Sequence, residues 1–265
     1  MTIGMGVLAS ETELRPDHVI LMADTKGSFG NDFSTGVLHK LFADPILDLY
    51  AVAADHMDQA AELFKTIHLF LRELWAGKGY GGIFQAVHAA SDVYKRVRFK
   101  YDVLPKYAHI PESIPDNFTD EQLGPALLEE WRNFYFGCQM IVSSFDLEGK
   151  AYLFTIDGTG EVINCTFPGF SAIGSGMNNA LFWLSYRNHN LGAPIKRAAY
   201  HAFEAKIMAE KSPFVNEEID MVIAKKGHHF ILTKALPKPQ GTPVTVAELR
   251  EMFSVYGPKV TDDLK

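Results

Sequence analysis

Thr2, Asp24, Lys40 and Ser175 are the residues of this sequence whose types and order could carry nucleophilic chemistry. If Met1 is removed, Thr2 presents a free α-amine beside its own hydroxyl, and such an amine can act as the base for that weak nucleophile. Its unperturbed pKa lies close to neutral pH. A nearby ammonium favours both the deprotonated amine and the developing alkoxide, and Lys40, inside the apolar run Val37–Phe42, is the candidate. Asp24, at the end of the apolar run His18–Ala23, can keep that lysine charged and in place. Ser175 stands in Gly174-Ser175-Gly176 at the opening of an expected helix, where it also suits an N-cap with glycines for turn geometry. The chemistry finally needs a backbone N–H aimed at the oxyanion of the tetrahedral intermediate.

The elements that must position these residues follow from pattern. Short apolar segments separated by Gly, Asp, Ser and Pro predict strands over Thr2–Leu8, His18–Asp24, Leu38–Phe42 and Leu47–Ala53. Helical spacing follows at Ala60, Phe64, Ile67, Leu71 and Leu74, with Asp58 as N-cap or first-turn acid, and again from Ile83 to Val97. Strands resume over Phe134–Phe145, Ala151–Ile156 and Phe170–Gly174. Two helices come next, Met177–Tyr186 and Pro194 to about Lys211, and then strands Ile219–Ala224 and His229–Thr233. The order is strands, two helices, strands, two helices, strands. No βαβ alternation appears, so the fold class is α+β with two antiparallel sheets in one domain over 1–265. The proline-punctuated segment 104–133 reads as a peripheral insertion, a plain surface loop by preference, and 236–265 as a short C-terminal extension with a helix near Val246–Phe253.

Five pieces in order resemble the proteasome β-type subunits among the N-terminal nucleophile hydrolases. They are the Thr-led first strand, Met22-Ala23-Asp24-Thr25-Lys26, His39-Lys40-Leu41, Ala51-Val52-Ala53-Ala54-Asp55-His56-Met57-Asp58, and Ala172-Ile173-Gly174-Ser175-Gly176. The spacings of 16 residues from Asp24 to Lys40 and 18 from Lys40 to Asp58 fit the family register. The resemblance implies a four-layer αββα sandwich, two sheets between helix pairs. It also implies a threonine peptidase working through an acyl-enzyme, with Thr2 as nucleophile and Asp24, Lys40 and Ser175 as its network. Ala54 would supply the oxyanion N–H, Gly27 and Ser28 would pair with an extended peptide substrate, and Val52 would wall an apolar pocket. Like subunits in a ring or spiral, and an ATPase partner, are expected on the same basis. One departure stands out: Ser212 and Val215 fall where the family completes the network with an aspartate and a serine. A catalytically silent scaffold or binding subunit, and an amidohydrolase acting on a small amide, are the rival readings.

Composition bounds the rest. Hydrophobic content of 47% with 22% charged residues fits a globular core, and a net charge of −7 argues against nucleic acid as a partner. Cys138 and Cys165, in apolar surroundings, fit buried thiols in a reducing compartment rather than a disulfide framework. No run has the length of a membrane span, and no basic, apolar and small-residue leader opens the sequence, so a cytoplasmic protein is expected, with the nucleophile exposed by Met1 removal alone. His228-His229 cannot chelate one ion from a regular strand, because adjacent residues point to opposite faces. No metal or cofactor is expected.

Overall fold

A computed structural model describes residues 3–11, 15–24, 40–77, 81–107, 114–212, 215, 217–233 and 244–257. Along the chain the described strands are β1 (Ile3–Ala9), β2 (His18–Ala23), β3 (Leu41–Asp44), β4 (Leu49–Asp55), β5 (Cys138–Phe145), β6 (Ala151–Ile156), β7 (Val162–Asn164), β8 (Phe170–Gly174), β9 (Asp220–Lys225) and β10 (His228–Thr233). The described α-helices are α1 (Met57–Trp75), α2 (Ile83–Asp102), α3 (Pro125–Asn133), α4 (Met177–Tyr186), α5 (Ile195–Ala209) and α6 (Val246–Tyr256). The strands make two five-stranded antiparallel sheets, ordered β10-β9-β2-β1-β8 and β3-β4-β5-β6-β7.

Three apolar layers hold the molecule together. Leu8, Val19, Leu21, Val52, Ile141 and Ile173 interdigitate between the sheets. Helices α1 and α2 cover the β3–β7 sheet, and α4, α5 and α6 cover the other. This is the expected αββα sandwich. Because both sheets are covered on both faces, β1, β2 and most of β4 are buried at every position instead of alternating. Gly4 and Gly6 belong to that inner packing. A Cβ on Gly6 would stand 2.9 Å from Leu153 Cδ1, so the sheets approach as closely as they do only over glycine.

Helix α1 buries Ala60, Ile67 and Leu71 of the expected stripe together with Leu63, while Phe64 and Leu74 are half-buried against the same core. Its N-cap is His56, and Asp58 lies in the first turn, where a carboxylate favours the helix dipole. Helix α5 is different: Ala198, Ala199, Ala202, Ala205 and Ala209 are all buried, since the helix is enclosed between the sheet and α4 and α6.

The segment expected to be a plain surface loop is anchored. Phe118 is buried in an aromatic box with Phe99 and Trp131, at centroid distances of 5.9 and 5.1 Å. Lys100 Nζ pairs with Asp116 at 2.5 Å, and Thr119 and Gln122 form a reciprocal cap on a short 3-10 turn. In the C-terminal extension, α6 is capped in the same way by Thr245 and Glu248, and it buries Leu249 in the core beneath α5.

Candidate functional site

The site is built where β1 begins and β2 ends. Gly4 pairs with Ala23, so Asp24 lies opposite Ile3, and the Asp24 N–H donates to Ile3 O at 3.2 Å. The Asp24 carboxylate turns back on the same strand: Oδ1 accepts the Ile3 N–H at 3.1 Å and Lys40 Nζ at 2.6 Å. Asp24 is 0% exposed and the Lys40 side chain 2%. Lys40 is fixed through its backbone as well, accepting the Ala53 N–H at 2.9 Å as the chain enters β3. Burial lowers the pKa of this lysine from its ordinary value, while Asp24, Asp220 and Asp55 oppose that shift by favouring the ammonium. Asp24 and Lys40 are thus brought together as their spacing predicts. Thr2, the next residue before Ile3, lies outside the described residues, as do Gly27 and Ser28.

Ser175 follows Gly174, the residue that pairs with Ile3 on the other edge of β1. It is exposed, and the N-cap of α4 is Gly176, so the capping role expected for Ser175 is not the one observed. Gly176 is required by space. A Cβ there would stand 3.0 Å from Ala209 Cβ, 3.1 Å from Val215 Cγ2 and 3.3 Å from Ile3 Cδ1. Val215, one of the two departures from the family pattern, is therefore an apolar residue packed under this turn.

Ala54, expected to supply the oxyanion N–H, lies in β4 between β3 and β5. Ala53 donates to Lys40 O, and His56 donates to Gly137 O at 3.1 Å. Successive peptides of a strand point to opposite edges. The Ala54 N–H is therefore turned toward β5, where Ala54 pairs with Gln139, and the Asp55 N–H is turned to the edge that carries Lys40. Asp55 ends β4 with φ of +73°, a left-handed conformation unusual outside glycine but tolerated by aspartate. Tyr135 donates its hydroxyl to Asp55 Oδ2 at 3.3 Å, and its ring lies over Gly158, where a Cβ would overlap it. Val52 is fully buried in the inter-sheet core, with its Cγ2 3.0 Å from where a Gly4 Cβ would be, so it is a packing residue and not an open wall.

Sequence reasoning did not single out Gln139, Asp220 or Asp55. Gln139 Oε1 accepts the Gly174 N–H at 3.0 Å and so ties the second sheet to the turn that holds Ser175. Asp220 is buried opposite Ala23 at the head of β9. An acid at the head of an apolar run was its only signal, whereas Asp24 closes one. Cys138 and Cys165 are buried thiols, and burial pushes Cys138 up to about 12, far from thiolate chemistry. Among the described residues no group of His, Cys, Asp and Glu could hold a metal ion, and no helix is long and apolar enough to cross a membrane.

The family model described as proteasome subunit matches residues 119–190, less than a third of the chain. That stretch runs from the expected insertion through α3, β5 to β8 and α4, and of the candidate site it contains Ser175. No curated protein matches the chain. The match supports a proteasome β-subunit-like family for this chain, and the two stacked antiparallel sheets with their flanking helices are the α+β sandwich of that family. In general terms the match supports a proteasome-like N-terminal nucleophile hydrolase.

Proposed function

We propose that the chain is a threonine-type peptidase whose nucleophile is Thr2 after removal of Met1. The observation that carries this reading is the buried Lys40–Asp24 pair bonded to the Ile3 amide. Covalent geometry keeps the Thr2 Cα about 3.8 Å from that of Ile3, so the pair is built beside the residue that would react. Thr2 Oγ attacks the peptide carbonyl carbon and passes its proton to the Thr2 α-amine, forming a tetrahedral oxyanion that the Asp55 N–H faces. Collapse breaks the peptide C–N bond, the leaving amine takes the proton from the α-ammonium, and an ester to Thr2 remains. Water, deprotonated by the same amine, then releases the acid and restores the hydroxyl. Lys40, paired with Asp24, favours the neutral amine at working pH. Ser175 stands at the same end of β1, and Gly27 and Ser28 would bind the extended substrate peptide. A peptide or protein substrate, assembly of like subunits into a ring or spiral, an ATPase partner and a cytoplasmic setting belong to this proposal.

Intact mass before and after a threonine-directed epoxyketone tests it. Loss of Met1 and one adduct, absent in Thr2→Ala, are expected. Retained Met1 with no adduct would leave Thr2 without its base and refute the mechanism.

One observation favours the silent-scaffold reading: Val215 fills with a buried apolar side chain a position where the family has a polar network residue. On that reading Thr2→Ala changes no measurable property. An amidohydrolase would instead take the adduct yet cut no peptide in a library.

A further inference from the structure

The outer faces of the two helical layers differ in kind. Helix α1 sets Glu62, Lys65, Arg72 and Glu73 toward solvent, whereas α4 has no charged residue along its length. Asn178, Asn179, Phe182, Ser185 and Tyr186 fall on one side of α4 at spacings of three and four, and all are exposed. Phe182 and Tyr186 stack on each other at a centroid distance of 6.2 Å, and Trp183 meets Tyr186 edge to face at 5.1 Å. The end of α6 is fixed beside this ladder. Arg187, gripped by the buried carboxylate of Glu204 in α5, donates from Nη2 to Tyr256 O at 3.3 Å. Phe182, Tyr186, Val255 and Tyr256 are 62%, 63%, 62% and 67% exposed. At those exposures the four side chains present on the order of 500 Å² of apolar surface, a size that marks a contact site.

We propose that this face of α4, with the end of α6, is where a second copy of the chain docks across a two-fold axis. Charge favours a copy as the occupant. The chain carries a net charge of −7, so two copies repel each other on approach, and a two-fold contact sets each charge near its own duplicate. An uncharged helix can meet itself without that cost. Geometry favours it too: antiparallel crossing of two α4 helices places Phe182 of one copy against Tyr186 of the other, and each contact is made twice. A stable pair needs about 800 Å² from each partner, and the four side chains supply more than half of it. A ring or spiral is built from head-to-tail contacts, so the two-fold contact goes beyond the assembly proposed above and does not rest on catalysis at Thr2.

Sedimentation equilibrium of the full chain tests it. Phe182→Glu and Tyr186→Glu each set like charges across the axis in an apolar contact. Each should halve the mass of the particle, weakening association about 100-fold or more. Phe167→Glu, the same change at a side chain 86% exposed on the β7–β8 connection, should leave the mass unchanged. If Phe167→Glu has the same effect as the other two, the association is not specific to this face and the proposal falls. Melting temperatures check that the variants fold, and if Phe182→Glu does not, Tyr256→Glu decides. In oxidising buffer, a Phe182→Cys chain mixed with a Tyr186→Cys chain should form a disulfide-linked pair faster than either alone, the signature of the antiparallel crossing. A parent of single-chain mass at about 100 µM overturns the proposal and leaves the face to a different protein. So does a multi-chain particle that both glutamate variants leave whole, since the copies then meet elsewhere. Adduct formation at Thr2 is read on the same samples, and its failure beside an intact α4 contact would refute the peptidase reading alone.

Discussion

At its Ile3 end, β1 lies against Asp24 and Lys40; at its Leu8 end, it lies against His189 and His201. Both ends bury ionisable groups under the same strand, yet only one holds opposite charges in contact. Around Lys40, three carboxylates oppose the cost of burial. Among the charges that act on the imidazoles no carboxylate is present: His189 Nε2 donates to Leu8 O at 3.0 Å, and its Nδ1 lies 3.3 Å from His201 Nδ1. Since the carbonyl can only accept, the hydrogen of His189 is on Nε2, and His201 donates from Nδ1 to the bare Nδ1 of His189. Burial lowers both imidazoles to about 4, with Arg197 adding to it, so both are neutral near pH 7. A structural device gives up its charge, whereas a corner that keeps paired charge at this cost is the one to examine for chemistry.

The comparison breaks most visibly at Lys40. Lys40→Met leaves Asp24 buried without its ammonium and should cost about 3–5 kcal/mol in chemical denaturation. The adduct at Thr2 should vanish with it, and Asp24→Leu added to Lys40→Met should recover part of the stability but none of the reactivity. A Lys40→Met protein as stable as its parent would show that the pair is not the keystone of this corner.

Acid should strike the other end first. Both histidines have native pKa values below the ordinary 6.5, so the unfolded chain takes up protons before the folded one as pH falls. Stability is therefore full above about pH 6.5 and is lost between there and about 4, by roughly 3 kcal/mol for each imidazole at most. Melting temperatures measured across that window check the slope, which His201→Leu should make shallower.

Smaller effects sharpen the picture around the site. Gly176→Ala forces Ala209, Val215 and Ile3 apart and should cost about 1–2 kcal/mol, read from urea midpoints at unchanged m-value. Tyr135→Phe removes a long, exposed hydrogen bond to Asp55 and should change stability by less than about 0.5 kcal/mol. If the left-handed Asp55 peptide presents the oxyanion donor, the same variant slows adduct formation several-fold, and a rate equal to the parent's would remove Tyr135 from the site.

Much of the fold was legible because it depends on local pattern. The hairpin of β1 and β2, the stripe Ala60–Leu71 of α1 and the strand–turn–strand around Asp157 each follow from apolar spacing and turn residues. Outside its closing helix, segment 104–133 was read as a plain surface loop because its polar residues and prolines dominate the pattern. The buried ring of Phe118 packs on Phe99 of α2 and on Trp131, and Lys100 of α2 pairs with Asp116. The direction of the Ala54 amide, toward β5, was not legible for a similar reason. Counting from Lys40 gives a position, but which edge of β4 an amide faces depends on its pairing with β3 and β5.

By itself the sequence determined the types and spacings that chemistry requires: a threonine behind the initiator, an aspartate closing an apolar run, and a lysine 16 residues later. It also determined the alternation of strands and helices that makes the sandwich, because secondary structure answers to hydrophobic period and turn chemistry within a few residues. Only the tertiary structure decided that Asp24 would grip both the Ile3 amide and Lys40, and that Val52 would be enclosed between the sheets. Those outcomes depend on which surfaces meet when the layers stack, and on the cost of dehydrating charge there. Neither quantity belongs to any one segment of the chain.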